Sequence, residues 1–172
     1  DPASIEALIS EKTKAIVVVH YAGVACDMDP ILEMASQHNI IIIEDAAQAI
    51  DSYYKDRPLG GIGTFGAFSF HETKNIISGE GGMLTVNDER YSKRAEIIWE
   101  KGTNRAAFFR GEVDEYGWKD MGSSFLPPDI VGAFLFAQAE QNAIKASIEE
   151  LDLDNMTPLE AMNILYKLKS QL

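Results

Sequence analysis

A carboxylate and a primary amine that both stand at strand ends can share one reaction. Asp45 lies in Glu44-Asp45-Ala46-Ala47-Gln48, straight after the apolar run Ile40–Ile43. In open α/β sheets, ligands bind beyond the carboxyl ends of strands. Lys74 lies in Ser69-Phe70-His71-Glu72-Thr73-Lys74-Asn75, directly after the run Phe65–Phe70 and beside the glycine-rich Ser78–Gly82. A lysine at a strand exit can point into a cleft, shed its proton and attack an aldehyde. Taken singly, Asp45 reads as a cap for the next turn and Lys74 as a solvated surface lysine. Taken together they meet the needs of pyridoxal-phosphate (PLP) chemistry. That chemistry requires a lysine to hold the aldehyde and an acid to keep the ring nitrogen protonated, so that the ring can accept charge from a substrate carbanion.

These positions require strands to carry them. Ala15–Tyr21 is a run of apolar and β-branched residues and predicts a buried strand. Asp29 is expected to cap a helix from Pro30 to about His38, and Ile40–Ile43 is a second buried strand. This order predicts parallel strands joined by a right-handed crossover. Tyr53–Arg57, Phe65–Phe70 and Gly82–Val86 read as further strands, and Asn87–Lys101 as a helix with Ala95, Ile98 and Trp99 on one face. Residues 102–127 look irregular, Asp129 to about Glu150 is a long helix, and residues 2–11 form a short amphipathic one. Asp1-Pro2 reads as a cap and a first-turn proline, which suggests a piece of something longer.

The bulk numbers narrow the class. The 172 residues suffice for one domain with a core, and 46% apolar with 24% charged residues is ordinary for a globular protein. With 27 acidic against 15 basic residues, the net charge of −12 argues against a nucleic-acid partner. The single cysteine, Cys26, and the lack of a leader or a membrane-length apolar run point to a cytoplasmic setting and no membrane. His20, His38 and His71 lack ligand spacing, so no metal site is expected, and His20 and His71 read as structural histidines. Asp27-Met28-Asp29 is explained by helix capping. Gly61-Ile62-Gly63-Thr64-Phe65-Gly66 matches GxGxxG, but a strand follows it, so it reads as a turn for close backbone approach.

Ordered blocks extend over about 140 residues. They are His20-Tyr21-Ala22-Gly23-Val24-Ala25-Cys26, the Asp45 and Lys74 segments, Gly79-Glu80-Gly81-Gly82 and Lys101-Gly102-Thr103-Asn104-Arg105. Arg110-Gly111, Val113-Asp114, Tyr116, Trp118 and Gly122-Ser123-Ser124 continue them. From Asp1 to about Gln141 the chain resembles the DegT/DnrJ/EryC1/StrS sugar aminotransferases, most of all those that aminate dTDP-4-oxo-6-deoxy-D-glucose for enterobacterial common antigen or lipopolysaccharide. The resemblance implies an α/β fold, the aspartate-aminotransferase-like fold type I, of which residues 1–145 supply part of the PLP-binding large domain. It implies that Lys74 forms the internal aldimine and moves protons, and that Asp45 pairs with the pyridinium nitrogen. Gln48 would lie beside the ring and Ser69 would bind the phosphate. Glutamate would be the amino donor, a dTDP-linked keto sugar the acceptor, and the complete enzyme a homodimer. Ser124 stands where many relatives have an asparagine that reaches the neighbouring subunit's phosphate. Arg105 and Arg110 suit a diphosphate, and Tyr116 or Trp118 a base or sugar; packing of a long loop or dimer interface is the equal alternative.

The family carries an earlier phosphate loop, a residue that stacks on the ring, and a smaller C-terminal domain; the blocks above match only its middle. Residues 146–172 read as a helical tail of foreign origin. Leu151-Asp152-Leu153-Asp154-Asn155-Met156-Thr157-Pro158-Leu159-Glu160-Ala161 opens a stretch, within residues 147–172, that resembles the C-terminus of the mismatch-repair protein MutS. That resemblance implies a self-association helix capped by Thr157. Two expectations follow: part of a PLP enzyme, or a noncatalytic chimera with an association helix. A nucleic-acid module would rest on the tail alone.

Overall fold

The two runs of branched aliphatic residues pair side by side. In the computed structural model, which describes residues 1–149, 160, 162–164 and 167, the chain opens with α1 (Pro2–Glu6), β1 (Ala15–Val19), α2 (Met28–Gln37) and β2 (Ile41–Asp45). A small hairpin follows, β3 (Tyr53–Tyr54) and β4 (Arg57–Pro58), then β5 (Phe65–Ser69) and β6 (Gly82–Val86). Three helices close the described part: α3 (Ser92–Trp99), α4 (Arg105–Phe109) and α5 (Asp129–Glu149). The main sheet has the order β1-β2-β5-β6. β1, β2 and β5 are parallel, and β6 returns antiparallel to β5, which makes the sheet mixed.

Alternation decides which face is covered. Val18 and Ile42 point to one face and join Met28, Ile31 and Ala35 of α2 and Ile40 in a buried cluster, with Ile5 and Ile9 packed against it. Each such valine, isoleucine or methionine side chain contributes about 1.5–3 kcal/mol by leaving water. On the other face Val17 and Val19 remain 61% and 52% exposed, and Ala67 and Leu84 are exposed as well. The strand at residues 15–21 was therefore half right: it is buried on one side only, and it stops at Val19 because a 3₁₀ turn begins at Tyr21.

Other expectations shift for local reasons. Asp1 caps α1 through Ala3 N–H, as read, but the helix ends at Glu6, where Leu8 and Ile9 switch to tighter i→i+3 bonds. Asp27, not Asp29, holds the cap position of α2. Asp29 sits in the first turn, where Lys55 and Arg57 take its carboxylate at 2.6 and 2.8 Å; the hydrogen bond from Lys55 leads in holding it below its ordinary pKa. Tyr53–Arg57 is a hairpin, not one strand, because Lys55 and Asp56 both take positive φ (47° and 64°). Two positive φ values in a two-residue loop are the type I′ pattern, and Lys-Asp lacks the glycine or asparagine that would advertise it. Residues 102–127 are not wholly irregular, since α4 lies inside them. The helix expected from Asn87 is a 3₁₀ turn at Glu89–Tyr91 followed by α3. The Thr157 cap lies outside the described residues. Among the described residues no helix is long and apolar enough to cross a membrane, and no cluster of His, Cys, Asp and Glu could hold a metal ion.

Candidate active site

Strand ends β2 and β5 and the turn after β1 open around one cavity of about 310 Å³. Lys74, Ser69 and Gln48 line it, together with Tyr21, Ala22 and Phe68. Three of the sequence-predicted cofactor residues thus meet there. Lys74 is half-buried, and its Nζ has no hydrogen bond or ion pair among the described residues. Ser69 Oγ accepts the His71 N–H at 3.3 Å, which leaves its own O–H to donate elsewhere. Gln48 Oε1 accepts the Ala22 N–H at 2.7 Å. Ala22 has a φ of 54°, which is unfavourable for a side chain with a Cβ, and the Gln48 bond holds that turn in place.

Asp45 is the outlier. It ends β2 and is half-buried, yet it does not line the cavity, although its neighbours Ala46 and Ala47 do. Its Oδ1 accepts the Ala47 N–H at 3.1 Å, so it does cap the next turn.

Sequence reading passed over the residue that precedes Asp45 on β2. Glu44 is fully buried and collects four donors: His20 Nε2 at 2.9 Å, Gly60 N–H at 2.8 Å, Ile62 N–H at 2.7 Å and Gly63 N–H at 2.6 Å. His20 Nδ1 accepts the Cys26 N–H at 3.2 Å, which places the ring hydrogen on Nε2, aimed at Glu44. His20 is thus a satisfied structural histidine, as read. The GxGxxG turn spends its Ile62 and Gly63 N–H groups on this internal carboxylate. It also fits by lack of side chains: a Cβ on Gly66 would strike Gly60 O, and one on Gly63 would meet Ile42 O at 2.9 Å. The signal was in the pattern, because Glu44 falls on the same face as Ile42, and a charge there must be met by donors.

The 101–124 segment lies apart from the cavity lining. Arg105 donates to Glu100 at 3.2 Å and lies 4.9 Å over the Phe109 ring. Arg110 grips Glu96 at 2.6 Å and Glu112 at 2.6 Å; these bonds, Glu96 first, push its pKa up and pull both carboxylates down. Tyr116 and Trp118 are 56% and 75% exposed. Ser124 is exposed and pairs with Glu100 in a single antiparallel bridge.

Comparison with known proteins decides what kind of site this is. The pattern of the DegT/DnrJ/EryC1/StrS aminotransferase family matches residues 1–142. The chain belongs to that family. Family members similar to it include the spore coat polysaccharide biosynthesis protein SpsC of Bacillus subtilis, 46% identical over 64% of this chain and 28% of SpsC. The aminotransferase PseC of Helicobacter pylori, involved in pseudoaminic acid biosynthesis, superposes with a TM-score of 0.73 at 30% identity, over 82% of this chain and 37% of PseC. The PLP form of the sugar aminotransferase Spr1654 from Streptococcus pneumoniae gives 0.70 at 28% identity, over 82% of this chain and 40% of that one. The mixed sheet and its helices are accordingly those of the fold type I aminotransferases, as expected. This family member spans only 27–33% of the length of the curated relatives it matches. The C-terminal region of the DNA mismatch repair protein MutS matches residues 138–171.

Proposed function

We propose that this chain is the cofactor-holding segment, residues 1–145, of a PLP-dependent aminotransferase that aminates a nucleotide-linked 4-keto-6-deoxy sugar with glutamate. The observation that carries the reading is one cavity lined by an unpaired lysine, a hydroxyl and an amide, at the exits of parallel strands. That donor set fits the cofactor: an amine for its aldehyde, Ser69 O–H for its phosphate, and the Gln48 amide for its ring substituents. When bound, PLP supplies an electron sink for a carbanion at the substrate carbon. Lys74 Nζ holds the cofactor and then moves a proton to and from that carbon. Asp45, at the end of β2, supplies the charge that keeps the ring nitrogen protonated; for this its carboxylate must turn from Ala47 N–H toward the cavity. The exposed Ser124 serves a neighbouring subunit of a homodimer, and dTDP is the favoured nucleotide. Arg105, Arg110, Tyr116 and Trp118 form the sugar-nucleotide side once a second subunit faces them. The setting is cytoplasmic.

The test is chemical. The chain is mixed with PLP, reduced with borohydride, and digested to locate the pyridoxyl-lysine by peptide mass. The label is expected at Lys74 and absent in Lys74→Ala. Label scattered over surface lysines instead would sink the reading. A second reading, a noncatalytic chimera whose foreign tail from residue 146 drives self-association, draws on the MutS match.

A further inference from the structure

The arm that carries Lys74 connects β5 to β6, and nearly all of its hydrogen bonds are its own. Phe70 N–H reaches Gly81 O at 2.9 Å, Glu72 N–H reaches Gly79 O at 3.1 Å, and Ser78 N–H reaches Phe70 O at 2.7 Å. Lys74 N–H closes a turn on His71 O at 2.9 Å, and Thr73 N–H bonds His71 Nδ1 at 3.2 Å. These bonds shape the arm, but none of them ties it to another element. Among the described residues a single side chain ties it to another element. Gln138, on α5, accepts the Ile77 N–H on Oε1 at 3.1 Å and donates from Nε2 to Ile77 O at 2.6 Å. Both polar groups of that peptide residue are taken by one amide, from 61 positions away. Nε2 also reaches Phe134 O at 3.2 Å on its own helix, which fixes the rotamer. Between Lys74 and the anchored Ile77 lie Asn75 and Ile76, and both line the cavity with Lys74.

We infer that Gln138 is a positioning residue that holds the Lys74 arm against α5 and so sets where the amine stands in the cavity. The inference rests on the reading of Lys74 as the cofactor lysine. The chemistry demands glutamine here. Only a side-chain amide offers a donor and an acceptor side by side, to match a peptide N–H and C=O. Glutamate keeps the acceptor and loses the donor. Methionine keeps the length and loses both. Asparagine is one methylene too short.

The experiment compares the wild-type chain with Gln138→Met and Gln138→Glu, in two readouts. The first is amide hydrogen exchange at Ile77. The second is the share of borohydride-fixed pyridoxyl label that falls on Lys74 rather than on other lysines. Ile77 exchange is expected to rise about tenfold in Gln138→Met, through loss of both bonds, with the Lys74 share of label falling alongside. Gln138→Glu sets a carboxylate oxygen against Ile77 O and Phe134 O, so it should loosen Ile77 and lower the Lys74 share at least as far as Gln138→Met while circular dichroism stays at the wild-type level, which a mere loss of folding would not give. Equal Lys74 labelling in wild type and Gln138→Met would overturn the inference and leave the cofactor reading standing. Absence of Lys74 label in the wild-type chain would sink the cofactor reading, and the inference with it, even if Ile77 exchange responded.

Discussion

Glu44 carries a charge with no access to water, so its worth depends on its partners. Four donors surround it, and one of them belongs to the histidine that opens the turn to Tyr21 and Ala22. One carboxylate therefore joins the rim of the cavity to the glycine turn beside β5. Glu44→Ala would strand three backbone N–H groups and the His20 ring, at a cost of about 3–5 kcal/mol. Urea unfolding of the two proteins measures this directly, and a loss under 1 kcal/mol would mean that water replaces the carboxylate. At this scale the sequence was informative about identity but not about direction. Ser69 and Gln48 came through the family resemblance and Lys74 by type and spacing, and all three line one space. Asp45 was found in the same way, yet its carboxylate faces Ala47 N–H.

Between elements, the α3–α4 contact depends on charge. Glu96 on α3 and Glu112 just beyond α4 both bind Arg110, the residue that closes α4. Arg110 holds both carboxylates below their ordinary value of 4.5. Groups with lowered values stabilise the fold above the unfolded value, and the contribution is lost as pH falls through the folded one. Arg110→Ala should therefore lower the Tm at pH 7, with the gap to wild type closing as the pH drops below 4.5. A gap that persists in acid would assign the effect to packing of the arginine stem instead. Element existence was largely legible, because branched runs made β1 and β2 and the broad apolar stretch made α5. The β3–β4 hairpin was not, because its positive-φ residues are lysine and aspartate, which carry no turn signature.

The whole chain pairs an aminotransferase region with a tail that a different pattern matches. The two matches overlap by only a few residues, from 138 to 142. The Lys74 cavity draws its lining from residues 21–76, none of them in the tail's stretch of sequence. Removing residues 151–172 should leave Lys74 labelling intact, and on the second reading, in which the tail drives self-association, it should also lower the mass per particle seen by light scattering. If the mass per particle stays the same, the self-association role of the tail falls.

The sequence by itself determined the family, through its ordered blocks of residues, and the runs that form β1, β2 and β5. These follow from local pattern and composition, which are properties of short stretches. Tertiary structure alone decided that Glu44 is the buried anchor, that Gln138 reaches across to Ile77, and that Arg105 and Arg110 already have carboxylate partners. Each of those facts joins residues or fixes a burial that no local pattern encodes. A buried charge or a bridging amide is defined by what surrounds it, and the surroundings exist only once the sheet and helices have come together.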